Sequence, residues 1–135
     1  MNPILKNILA VIAGWIGGGA LNMGLILLGS SMVGLPEGVN AMDPDSLANN
    51  IHLFEFKHFV FPFLAHALGT LLGAFIAAKI AANNNMKFAL AIGVLFLLGG
   101  IANAFMIGGP MAFNVIDIVF AYIPMAWLGG RLAGY

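Results

Sequence analysis

Residues 8–30 read ILAVIAGWIGGGALNMGLILLGS, a run without a single charged side chain. A helix needs roughly 20 mostly apolar residues to cross about 30 Å of hydrocarbon, so this stretch is long enough to span a bilayer. Three more segments meet the same length: 59–82, 88–107 and 111–133. The expected fold is an all-α integral membrane protein with four transmembrane helices in an up-down bundle. All 135 residues form one four-span membrane domain.

Composition agrees. The chain is 61% hydrophobic and 7% charged, with 18 glycines, and its mean hydropathy is +1.01. Soluble domains are closer to half apolar, and abundant glycine within long apolar runs suits packed membrane helices. The absence of cysteine removes disulfides, thiol chemistry and thiolate metal sites. Five basic residues balance five acidic ones, which gives no reason to expect nucleic acid as a partner. The first run is too long for a signal-peptide core, and no small-x-small cleavage site follows closely, so it reads as an uncleaved span.

Connections and charges orient the bundle. Asn83-Asn84-Asn85 and Gly108-Gly109-Pro110 are turns short enough only for antiparallel hairpins. Segment 31–58 is the one long connection and holds every acidic residue except Asp117. Four spans put Lys6, Lys79, Lys87 and Arg131 on one side and leave only Lys57 on the other. That bias predicts cytoplasmic termini and an external long loop. Within that loop, Asp43 can cap a helix opening at Pro44. Leu47, Ile51, Phe54 and Phe61 then recur at helical spacing, as in an amphipathic helix lying on the outer surface and running into the second span. Pro62 is expected to mark its bend, and Pro124 to kink the fourth helix.

Small residues recur every four positions in two spans. Ala10, Gly14, Gly18 and Asn22 mark the first; Ala65, Gly69, Gly73 and Ala77 mark the second. Such rows let helix backbones approach closely, either within one chain or between protomers. A Gly-Gly-x-x-Asn pattern also occurs twice, at Gly18–Asn22 and Gly99–Asn103. It suggests two parallel hairpin repeats, although glycine-rich chains generate such matches by chance.

The few polar side chains within the spans share one half of the membrane. At about 1.5 Å per residue, Asn22 and His66 lie about 10–12 Å below the outer boundary, and Asn103 and Asp117 about 6–8 Å below it. Thr70 follows His66 by one turn. Carboxylates at such depth cost on the order of 2.5–3.5 kcal/mol on insertion scales and normally face a bundle interior or a wet cavity. The expectation is an outward-facing vestibule lined by Asn22, His66, Thr70, Asn103 and Asp117, with an Asp–His pair suited to proton exchange. A plainer alternative makes Asn114 the N-cap of the fourth helix and Asp117 its capping-box partner. The asparagines can equally serve as interhelical hydrogen-bonding residues.

No catalytic motif is present. Gly17-Gly18-Gly19 sits inside an apolar helix, without the preceding strand of a phosphate loop. His52 and Glu55 have the i, i+3 spacing that can share a metal on a helix, while His58 lies about 120° further round. No cofactor is called for. A haem would require paired axial histidines, which His66 could supply only from each protomer of a symmetric dimer. Three functions stay open: a small oligomeric channel or transporter for a polar solute, ion or proton; a scaffold or accessory subunit holding a membrane protein partner; and a haem or quinone redox protein. The depth clustering favours the first, with the lipid bilayer and further copies of the chain as partners. The orientation is directly testable. A fluorescent protein fused after Tyr135 should fluoresce, whereas alkaline phosphatase fused there should be inactive; the reverse pattern would invert the topology.

Overall fold

The computed structural model describes all 135 residues, and every regular element is helical. The first span is α1 (Pro3–Met32), the second α3 (Lys57–Ile80) and the third α4 (Asn85–Ile107). The fourth is divided into α5 (Met111–Phe120) and α6 (Ile123–Leu132). A short α2 (Pro44–Asn50), followed by one 3-10 turn (Ile51–Leu53), lies in the long connection. Four apolar helices, counting α5 and α6 together, are long enough to cross a membrane. The chain is therefore a helical membrane bundle.

The helix ends follow from local chemistry. Asn2 caps α1 by accepting from the Ile4 amide at 2.8 Å, and Pro3 needs no donor at the first helical position. At 30 residues α1 is about 45 Å long, so its ends project past the hydrocarbon. Asn84 takes a left-handed conformation (φ 48°) to reverse the chain after α3. The Asn85 side-chain amide then donates to the Ala78 and Ala81 carbonyls at 2.8 and 2.9 Å, occupying acceptors that the end of α3 leaves open. Asn7 ties α1 to the same turn, accepting from the Ala82 amide at 2.8 Å and donating to Asn83 at 3.1 Å.

Helix α3 is central, touching α1, α4, α5 and α6. It meets α1 along the two rows of small residues, within one chain and antiparallel. A Cβ built on Gly14 would stand 2.5 Å from the Gly73 carbonyl oxygen, and one on Gly18 would stand 2.5 Å from that of Gly69. The backbones are thus in direct contact. Ile92 of α4 seats where Gly14 and Gly73 meet, and Phe96 lies against Gly18 and Gly73. The other interfaces use the same device: Gly129 of α6 packs on the Leu71 carbonyl, and Gly93 of α4 on Ala126. The core is consequently mostly alanine, and Ile92 and Thr70 are the largest fully buried side chains. Large apolar residues such as Trp15, Leu98 and Phe105 point outward, as expected where the solvent is lipid.

Four sequence expectations need correction. The surface helix does not run into the second span: Phe54 is extended (ψ 134°), and the bend falls at Phe54–Phe56 instead of at Pro62. Asn50 contributes to this stop, since its side chain takes the Ser46 carbonyl at 2.7 Å in place of helix continuation. Pro62 lies inside α3, where it withholds the amide that His58 would otherwise bond. At Pro124 the expected kink is a full break, with Tyr122 at φ −117°, ψ −78°. The repeat also lacks structural equivalence. In the first copy Gly18 packs and Gly19 faces open space; in the second Gly99 faces open space and Gly100 packs.

The α1–α3 contact sets a clear expectation for substitution. Gly14→Leu and Gly69→Leu force side-chain atoms into backbone, where even ordinary overpacking costs about 1–3 kcal/mol. Both should lower the thermal unfolding midpoint in detergent and broaden the gel-filtration peak. Gly19→Leu, which meets nothing within 4 Å, should leave both unchanged; equal effects in all three would contradict the seam.

Candidate functional site

The helix break creates the site. In a continuous helix, positions 117 and 122 would be about 140° apart and could not share a bond. The break at Ala121–Tyr122 brings them together, and the Tyr122 hydroxyl donates to Asp117 Oδ2 at 2.9 Å. The other carboxylate oxygen, Oδ1, lies 2.8 Å from His66 Nδ1 on α3. Asp117 is 4% exposed and Tyr122 2%, while the His66 side chain keeps 17% of its surface. The imidazole stacks on the Tyr122 ring at 5.8 Å between centroids, with 26° between planes. Gly100 makes room for this ring, because a Cβ there would overlap the Tyr122 hydroxyl.

His66 and Asp117 face a cavity of about 260 Å³ at the loop end of the bundle. Asn103 lines it as well, whereas Asn22 and Thr70 do not. The polar residues expected to share one vestibule are therefore divided. Asn22 sits in the α1–α3 seam against Gly69, and both Asn22 Oδ1 and the Thr70 hydroxyl are buried without a hydrogen-bond partner. The vestibule is also roofed. Pro44 and Leu47 of α2, Ile51 and Phe54 line it from above. The stripe expected to rest on lipid faces the cavity instead.

The capping-box alternative fails on geometry. Helix α5 begins at Met111, so Asn114 lies within it and donates to the Gly108 carbonyl at 3.2 Å. Both Asp117 oxygens are engaged by side chains from outside a capping box. His52 and Glu55 likewise lose their shared face, because the helical turns end at Leu53. The Glu55 amide donates to His58 Nδ1 at 2.8 Å, and its carboxylate lies 3.9 Å from Lys57 Nζ. No group of three or more histidine and carboxylate side chains is placed to hold a metal ion. His66 is half-buried among the spans and already has a carboxylate partner.

Sequence reasoning finds His66, Asp117 and their common depth, but misses Tyr122 and Gly100. The available signal is Pro124, whose missing amide and ring clash can break a helix in the turn before it. No protein-family model, curated protein or solved structure matches the chain.

An unpaired buried carboxylate is costly, and removing one partner of a buried ion pair typically costs about 3–5 kcal/mol. His66→Ala should therefore destabilise the bundle strongly. Tyr122→Phe, which removes one hydrogen bond to the carboxylate and keeps the ring, should cost less, about 1.5–3 kcal/mol. Unfolding midpoints in detergent check the order; a Tyr122→Phe loss as large as that of His66→Ala would show that the hydroxyl holds the carboxylate as strongly as the imidazole does.

Proposed function

We propose that this protein is a small membrane transporter or channel that takes up a solute or a proton in its roofed cavity. His66 and Asp117 are the exchanging pair. Their 2.8 Å contact on the cavity floor is the observation that carries this reading. An ionisable pair held between membrane helices is expensive, and such pairs commonly mark ion, proton or substrate paths. A carboxylate bonded to an imidazole can pass a proton in either direction as the environment changes. Tyr122 holds the carboxylate rotamer from the other side.

The broken fourth span supports the same reading. Membrane transporters often place their sites where a helix is interrupted, because freed backbone groups and a flexible joint meet there. Here the interruption lies between Asp117 and Pro124. The four-to-one distribution of basic residues supports an external position for the cavity, with both termini cytoplasmic. Below the site, Ala74, Ala77, Ala78, Ala89, Ile92 and Ala126 close the bundle. Passage would then require movement about the break or a path completed by a second copy of the chain.

Reconstitution tests the proposal. Proteoliposomes loaded with a pH-sensitive dye should show proton movement, alone or coupled to an added solute, that exceeds empty liposomes. Asp117→Asn should reduce that movement at least tenfold while leaving the detergent-solubilised protein monodisperse. Wild-type protein that moves neither protons nor any of a panel of ions and small neutral solutes would overturn the reading.

A further inference from the structure

The cavity has an aromatic wall as well as a polar floor. Phe54, at the end of the roof, lies 5.7 Å from Phe59 of α3, and Phe59 lies 4.8 Å from Phe113 of α5. Interplanar angles of 49° and 35° make both pairs tilted. All three rings line the same space as His66, Asn103 and Asp117. Three elements of the chain thus contribute rings to a lining that also carries a few hydrogen-bonding side chains. Apolar walls with a few placed polar groups are the usual composition of a small-molecule site.

We infer that the ligand of this cavity is a small neutral aromatic alcohol, a molecule of the phenol class; the inference rests on the proposed role of the cavity in taking up a solute. Size sets the first limit. A dry engineered cavity of about 150 Å³ holds benzene, so about 260 Å³ accommodates one substituted ring. Charge sets the second. An anion would meet the Asp117 carboxylate, since Lys57, the one basic chain in the lining, is mostly exposed and lies 3.9 Å from Glu55; a cation would find both Asp117 oxygens already engaged by His66 and Tyr122. Charged ligands would also lose their hydration at membrane depth.

The hydrogen-bonding requirement follows from His66. Its Nδ1 faces Asp117, and its other ring nitrogen, Nε2, has no partner within the protein. A neutral imidazole that donates through Nδ1 offers Nε2 as an acceptor, whereas the protonated ring offers a donor. A hydroxyl group can satisfy either state, by donating to the first or accepting from the second. The ligand ring meanwhile gains offset or edge contacts with the phenylalanine wall, the geometries that aromatic pairs prefer.

Titration calorimetry on the full chain in lipid nanodiscs, with empty nanodiscs subtracted, tests this. The probes are 4-ethylphenol, ethylbenzene and 4-ethylcyclohexanol. The phenol should bind saturably and at least tenfold more tightly than either analogue. His66→Phe should abolish its advantage over ethylbenzene. Phe113→Leu, which leaves the polar floor intact, should reduce its advantage over ethylcyclohexanol; this variant and the wild-type series decide the matter if His66→Phe does not fold. Equal affinity for phenol and ethylcyclohexanol overturns the requirement for a ring. Equal affinity for phenol and ethylbenzene overturns the hydroxyl anchor. In both cases saturable binding leaves the cavity standing as a solute site. No saturable binding of any probe overturns the inference, and proteoliposome flux then shows whether the transport reading falls with it.

Discussion

Direct backbone contact between α1 and α3 is the constraint on which the remaining structure depends. Lipid supplies no hydrophobic force to press two apolar helices together, so close packing has to supply the attraction. Glycines at 14, 18, 69 and 73 allow that approach, and the carbonyl oxygens of one helix lie where a side chain on the other would have to stand. The resulting groove accepts Ile92 and Phe96 from α4, which fixes the third span against the first two. With so little side-chain volume in the core, bulky groups are directed outward to lipid or upward to the loop end, where the cavity lies.

The site reverses that economy of volume. Three polar side chains, from α3, α5 and the break that follows α5, are packed where a membrane protein can least tolerate an unpaired group, and they satisfy one another. Asp117 accepts from Tyr122 and pairs with His66, and the aromatic stack of His66 on Tyr122 restricts both rings. Gly100 is a structural condition of this arrangement, since α4 must be bare where the tyrosine hydroxyl approaches. The break in the fourth span and the glycine on the third are thus two requirements of one hydrogen-bond network.

Much of the fold was legible because hydropathy and small-residue spacing each report a long, repeated pattern. The rows at Ala10–Asn22 and Ala65–Ala77 are visible as intervals of four, and the helices that carry them pack along those rows. What escaped the sequence depended on single residues or on tertiary placement. Leu47, Ile51 and Phe54 look like a lipid-facing stripe at helical spacing, but an extended residue at Phe54 turns that segment over the bundle. Depth alone grouped Asn22 and Thr70 with His66, yet azimuth on the helix decides what a residue faces, and these two turn away from the cavity. Tyr122 is invisible to any scheme that assumes an unbroken fourth helix.

The Gly108-Gly109-Pro110 linker, which joins α4 to α5, meets a part of the molecule that is distant in sequence. Ile51, which belongs to the cavity roof, rests directly on the bare backbone of Gly109, itself at φ 99°. Eight residues further along the chain is Asp117. One side chain thus ties the segment that covers the cavity to the stretch of chain carrying its buried carboxylate.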